Sequence, residues 1–225
     1  MPFKFIFLYL LLFVIGLLSS SATARDATVE NTEPAYQVQT NDVLAYVLGK
    51  AITLDSVMPQ ESERVEMRNN ARDNYAGLLA YRIQITATND IISLLREDYA
   101  QQKKIVVDEA LQRAFVEKFG EEFNAKQPQS HHKTIQQIAH DEVLKYATEK
   151  AMYEEFGGRV VFTQSNPQMP VDAYNTLLTR YKDAGQLNIV DEELNRAFWA
   201  IFSESVPFKY VIPNENINYD HPWWL

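Results

Sequence analysis

Apolar and polar positions change rhythm several times along this chain. Residues 43–48, Val-Leu-Ala-Tyr-Val-Leu, are apolar or aromatic throughout. Such a stretch reads as a short strand covered on both faces. Gly49-Lys50 then supplies a turn, Thr53 the N-cap of a first helical turn, and Pro59 its end or kink. From Glu61 to Gln102 the period becomes helical. Ala71, Leu78, Ile85, Ile92 and Tyr99 recur every seven residues, and Tyr75, Leu79 and Leu95 widen the same stripe. A single helix of that length would run about 63 Å. The pattern leaves one helix and two equally open, with the β-branched cluster at residues 83–88 as the expected break.

The rhythm stays helical afterwards. Asp108 is placed to cap a helix whose inner face carries Leu111, Phe115 and Phe119, and Gly120 to end it. Residues 124–133 form a polar loop. Thr134 opens a helix with Ile135, Ala139, Val143, Ala147 and Ala151 inward, terminated by Gly157-Gly158. Residues 159–162, Arg-Val-Val-Phe, read as a second strand. Pro170 starts a helix with Tyr174, Leu177, Leu178 and Tyr181 inward and Gly185 past its end; Asp191 caps another with Leu194, Ala197, Phe198, Ile201 and Phe202 inward. Residues 208–212 alternate like a strand, and His221-Pro222-Trp223-Trp224-Leu225 closes the sequence. The expected fold class is therefore mostly α, with two or three short β-strands. A lone strand leaves its amides unpaired, so residues 43–48 should pair with a distant segment. Residues 159–162 and 208–212 are the candidates.

The first residues set the expected compartment. Lys4 precedes an apolar run from Phe5 to Leu18, about 21 Å as a helix and short for a bilayer core of ~30 Å. Ala22-Thr23-Ala24 has the form accepted by signal peptidase. Cleavage after Ala24 and export to a periplasm follow, with an uncleaved N-terminal anchor as the alternative. After cleavage no stable membrane insertion is expected. Residues 25–41 are polar, contain Pro34, and read as a flexible leader. The remaining divisions are a helical domain over 42–162 and a helical extension over 163–225 packed on it.

Composition narrows the partners. The net charge is −9, and loss of Lys4 with the signal makes it −10, which disfavours nucleic acid and anionic membrane surfaces. There is no cysteine, so disulfides, thiol chemistry and Cys-based zinc sites are excluded. Twelve Tyr, twelve Phe and three Trp give an aromatic share of 12%. Most must lie in the core, but those left at a surface suit sequence-tolerant contact with extended chains.

Two stretches carry a family resemblance. "DVLAYVLGKAITLDSV" resembles the opening strand and turn of the SurA-type N-terminal domain. "NDIISLLREDYAQQKKIVVDEALQRAFVEKFGEEF" resembles that domain's apolar helix, short basic loop, β-branched pair, acidic cap and second amphipathic helix. The family comprises periplasmic chaperones of outer-membrane proteins and parvulin-type foldases. The likeness covers residues 42–123 best and is weaker over 134–162. The chain departs from the family in its longer spacing between Ser56 and Asp90. It also lacks a counterpart of the prolyl-isomerase module: "FGGRVVF" has two glycines without the acid and Leu-Gly that should follow. The resemblance implies a SurA-N-like fold and binding of non-native or envelope polypeptides, without isomerase activity and without a cofactor.

Other chemistry has weaker support. His131 and His132 lie in a polar loop, His140 on a helix and His221 in the tail, with no metal-binding spacing. No G-x-S-x-G motif is present, and spacing alone selects no catalytic pair among 30 carboxylates. Catalytic, metal and cofactor residues are thus assigned as none. Tyr75, Leu78, Leu79, Ile92, Leu95, Trp223 and Trp224 are the candidate polypeptide-binding residues. Two roles are open for the tail: a seal packed on the body, or an occupant of the client groove that competes with substrate. Two further functions remain alternatives: an exported hydrolase or lyase, and a structural subunit of an envelope complex.

Overall fold

A computed structural model of the chain describes residues 42–126, 133–203 and 210–225. The leader and signal expectations, His131 and His132 lie outside the described residues. Within them the fold is mostly helical with short antiparallel strands, as the patterning predicts.

The opening strand β1 (Val43–Val47) turns through Leu48 and Gly49 into β2 (Lys50–Thr53). Both loop residues have positive φ, 51° and 77°. That is the signature of a two-residue type I′ hairpin, whose twist matches its strands. Leu48 is an unusual residue there, and its N–H donates to the Gln186 carbonyl at 2.8 Å. The sequence reading placed the turn one residue late, at Gly49-Lys50, and so left β2 out. Thr53 caps α1 (Leu54–Val57) in a capping box with Ser56.

The helical stretch that follows breaks, but elsewhere than expected. The helix α2 (Glu61–Ala71) gives way to a 3₁₀ turn over Arg72–Asn74 and then to α3 (Tyr75–Gln102). Residues 69–74, Asn-Asn-Ala-Arg-Asp-Asn, are mostly weak helix formers whose short polar side chains compete for the backbone. The β-branched cluster at 83–88 stays helical inside α3. Thr86 there returns its hydroxyl to the Arg82 carbonyl at 3.0 Å. Glu63 Oε1 meets Arg82 Nε at 2.9 Å, so α2 folds back along the first half of α3.

Lys104 ends α3 in the left-handed region, φ 56°, where glycine is usual. The Ile105 N–H then reaches the Ala100 carbonyl at 2.9 Å, and Ile105 packs against the core. Asp108 Oδ1 accepts from the Ala110 and Leu111 amides to cap α4 (Glu109–Lys126). Gly120 does not end that helix: it is buried and lacks the positive φ of a C-cap, so the turn continues. A capping box of Thr134 and Gln137 opens α5 (Ile135–Phe156), and Gly157 with φ 62° closes it.

The strand pairing corrects the sequence reading. Residues 159–162 do not pair with β1. Instead β3 (Val161–Phe162) pairs antiparallel with β5 (Tyr210–Val211), and Ile212 N–H reaches the Val160 carbonyl at 2.8 Å. After α6 (Val171–Asp183) and the Gly185 turn, β4 (Leu187–Ile189) pairs antiparallel with β1 and completes a sheet in the order β2-β1-β4. The long-range tether exists, but a segment too short to show alternation supplies it. Asp191 Oδ1 accepts from Leu194 N–H at 2.7 Å and caps α7 (Glu192–Ala200).

The core gathers around this sheet. Ala45 and Val47 of β1, Ile91 and Leu95 of α3, Met152 of α5, Leu178 of α6 and Phe198 of α7 are almost wholly removed from solvent. Every fully buried residue of α3 lies from Ala87 onward, and α2 has none.

Candidate functional site

The residues singled out from sequence separate into three places. Tyr75, Leu78 and Leu79 stand on the first half of α3, each half-buried, with the Arg68 guanidinium 5.0 Å from the Tyr75 ring centre. Ile92 is half-buried against the core, and Leu95 is fully inside it. Trp223 and Trp224 sit in the C-terminal tail. They do not form one surface, and Leu95 and Trp224, both buried, offer a partner nothing without unpacking.

The first place is the α2–α3 hairpin over residues 61–86. Its facing apolar side chains are only partly covered, and Val65 and Tyr81 are 41% and 37% exposed. The helices hold each other through the Glu63–Arg82 ion pair and the Arg68–Tyr75 contact. An apolar seam left half open is unusual for a helix pair inside a domain, where burial supplies most of the stability.

The tail is the second place, and it is anchored at several points. The Trp224 ring is 1% exposed and meets Phe115 and Tyr146 edge-on, with ring centres 5.5 and 5.6 Å away. Lys118 Nζ donates to the Trp224 carbonyl at 2.6 Å. Gln168 and Asn218 exchange two hydrogen bonds of 2.7 Å. The Tyr219 hydroxyl donates to the Gln168 carbonyl, and the Tyr146 hydroxyl to the Tyr219 carbonyl. Trp223 stays 38% exposed, tilted against Phe119. The arrangement is that of a seal across α4, α5 and the 163–170 loop. Trp224 Nε1 is buried without a hydrogen-bond partner, beside a space of about 20 Å³ that it lines with Tyr146, Glu149 and Tyr219.

The third place was not visible in the sequence. Glu149 is 4% exposed in the middle of α5. Its carboxylate accepts from the Tyr174 hydroxyl at 2.7 Å and from Asn166 Nδ2 at 2.9 and 2.8 Å, joining α5, the 163–170 loop and α6. Burial pushes its carboxyl above the usual range, against the opposing pull of Lys145, Tyr174, Arg96 and Asn166. With its oxygens so occupied, Glu149 is a structural junction rather than a group poised to exchange a proton. Burial likewise raises the Tyr174 hydroxyl, and the neighbouring Glu149 adds to the effect.

Arg96, on α3, lies within electrostatic reach of this junction. Burial works against its charge, but Tyr174, Glu149 and Glu142 outweigh it and hold the guanidinium firmly protonated. It opens on a cleft of about 300 Å³ between α3 and α5. The only sequence sign of this place was an isolated acid in the Ala-Thr-Glu-Lys-Ala run. The expected inner stripe of α5 ends in Ala147 and Ala151, whereas the structure buries Thr148, Glu149 and Met152 instead. The helix changes partner along its length. Gln112 of α4 donates to the Gln136 carbonyl near its start, whereas Tyr174 and Arg180 of α6 meet it near its end.

Among the described residues, no group of three or more His, Asp or Glu side chains is placed to hold a metal ion. No helix among them is long and apolar enough to cross a membrane. No family model, curated protein or solved structure matches the chain.

Proposed function

We propose that this chain is an exported, SurA-N-like polypeptide-binding protein that holds non-native or envelope polypeptides without isomerase activity. One observation carries the reading: the α2–α3 hairpin keeps an apolar seam in which no side chain is fully buried. Tyr75, Leu78, Leu79, Val65 and Tyr81 offer rings and branched chains that suit extended segments of varied sequence. The net charge of −9 favours neutral or basic segments over acidic ones. Burying a few hundred Å² at ~25 cal/mol per Å² gives several kcal/mol before the costs of association, which suits weak, reversible holding. Export is part of the same proposal and rests on the apolar run before Ala22-Thr23-Ala24.

Strand addition at the sheet edge contributes less. The outer strand β2 has four residues, and the Thr53 N–H is already spent on Ser56 Oγ at 3.1 Å. A bound chain would find few free amides there.

The test is suppression of aggregation. The purified chain at equimolar ratio should lower light scattering of a thermally unfolding reporter enzyme. The double variant Leu78→Ser/Leu79→Ser should lose most of that effect while its own melting temperature moves little. A wild-type chain that leaves scattering unchanged, or a double variant as effective as wild type, would overturn the proposal.

A further inference from the structure

We propose that the groove under the C-terminal tail, across α4, α5 and the 163–170 loop, is a docking site for an extended polypeptide segment of another protein with an aromatic anchor, and that residues 214–225 are its built-in competitor. This inference stands apart from the hairpin reading and uses none of its residues.

The tail is held as a bound peptide is held. Gln168 turns its side-chain amide on Asn218 as a neighbouring strand would: Nε2 donates to the Asn218 carbonyl and Oε1 accepts from the Asn218 N–H, each at 2.7 Å. The Tyr146 hydroxyl donates to the Tyr219 carbonyl, and Lys118 Nζ donates to the Trp224 carbonyl at 2.6 Å. These contacts fall on main chain, which every sequence carries, so they give affinity without selecting residues. Selection comes from a seat for one ring. Of residues 210–225 only Pro222 and Trp224 are buried. The Trp224 ring stands edge-on to Phe115 and Tyr146, with centres 5.5 and 5.6 Å away, and its Nε1 finds no partner there. The seat therefore reads the ring and not the indole N–H, and a phenylalanine meets the same demand.

The hold is one that a competitor can replace. The pairing of β5 with β3 lies before Asn214, so residues 214–225 can leave without breaking that ribbon. One apolar ring and a row of polar contacts secure them, and a donor buried without a partner weakens the native occupant. Tethering offsets that weakness, because a segment on a short leash meets its seat at an effective concentration on the order of millimolar. The same tether argues against a second copy of this chain as the partner. An identical tail arriving from outside gains nothing over the one in place, whereas a foreign segment can bring a ring that leaves no donor unpaired.

Fluorescence anisotropy of a labelled peptide of residues 214–225 tests the groove on the full chain. Wild type should bind it weakly. A full-length Trp224→Ala chain, whose own tail has lost its anchor, should bind it tighter by about tenfold or more. Against that variant, a Trp224→Phe peptide should stay within about tenfold of the native peptide, and a Trp224→Ala peptide should fall by more than that. N-methylation of the Asn218 amide removes the donor to Gln168 Oε1 and should weaken the peptide by about fivefold or more. Wild type gives a reading that needs no variant. With isotope-labelled chain and unlabelled peptide in excess, the Trp224 indole and Tyr219 amide signals should move to their positions in the free peptide, while the Trp199 signal stays. Equal affinity of wild type and a folded Trp224→Ala chain, or no binding to that chain, would overturn the inference. So would a Trp224→Ala or N-methylated peptide as tight as the native one, or unmoved Trp224 and Tyr219 signals. A wild-type chain that dimerises under the same conditions would assign the groove to a second copy and overturn it as well.

Discussion

Replacing Gly158 by alanine should be among the most damaging single-methyl changes in the chain, and its cost can be built from contacts. The residue has φ +91°, which L side chains rarely adopt; that strain alone is worth about 1–2 kcal/mol. An added Cβ would stand 2.4 Å from Asp172 Cβ. That atom belongs to the first turn of α6 and cannot swing aside, so Asp172 must shift. Asp172 is committed, however. Its Oδ2 accepts from the Arg159 amide at 2.8 Å, and both its oxygens hold the Arg159 guanidinium, the shortest contact being 2.7 Å. Both side chains are about one-third exposed, so losing the clamp should cost about 1–2 kcal/mol after screening. The total expected for Gly158→Ala is about 2–4 kcal/mol. Gly185→Ala is the control: φ is +70° and nothing lies within 4 Å, so only strain of about 1 kcal/mol applies. Urea unfolding at pH 7 measures both. Asp172→Asn on the Gly158→Ala background should cost less than on wild type, because the clamp is already broken. If Gly158→Ala costs no more than Gly185→Ala, the close approach of Gly158 to α6 does not constrain the fold.

Further predictions follow from the buried groups. The Arg159 guanidinium and amide hold Asp172 below its ordinary pKa of 3.8, so its contribution is complete above that pH and is lost as pH falls through the lowered value; wild type but not Asp172→Asn should lose stability there. Burial raises Glu149 above its ordinary 4.5, so its contribution is present below that pH and declines as pH rises through the raised value. Glu149→Gln should therefore show a flatter stability profile than wild type from pH 4.5 upward in urea titrations, and a steeper decline would contradict the assignment. Trp224→Ala should cost about 3–5 kcal/mol by leaving a cavity against Phe115 and Tyr146. Trp224→Phe keeps a ring there and removes the unpartnered Nε1, so it should cost less than half as much in the same unfolding assay.

What was legible in the sequence is what the chain decides locally. Thr53, Asp108, Thr134 and Asp191 each cap the helix they precede, because a cap needs only its own next three residues. Gly157 and Gly185 mark helix ends for the same reason. The errors arise where a distant partner decides. Three residues, Leu187–Ile189, are too few to show alternation, yet they complete the sheet because β1 offers them a bare edge. Lys104 takes a conformation suited to glycine because Ile105 gains a place against the core. The regular stripe read along α5 weakens after Val143, where Ala151 still packs half-buried against the core but Thr148, Glu149 and Met152 are buried beside it, because the helix exchanges α4 for α6. The same exchange hides Glu149, since a periodic stripe offers no position for a buried acid whose partners lie 17 and 25 residues away.

The two short sheets divide the molecule into parts with different duties. One ties residues 43–53 to 187–189, and the other ties 161–162 to 210–211, so the long helices between them are clipped near both ends of the described chain. Ribbons of two or three residues have little stability of their own. They persist because Ala45, Val47, Val161 and Leu187 are buried against the helices. Clip and core are therefore one cooperative unit, and it includes the second half of α3, α5 and the Arg96 cleft between them. The α2–α3 hairpin lies outside both clips and contributes no fully buried residue. Opening of that hairpin forfeits little burial and should occur at lower free energy than global unfolding. A surface proposed to accept varied chains can tolerate such local opening. The hairpin and the second half of α3 thus fall on opposite sides of one mechanical boundary. Hydrogen exchange should show it directly, with amides of residues 61–86 exchanging well before those of residues 87–100; uniform protection along α3 would erase the distinction.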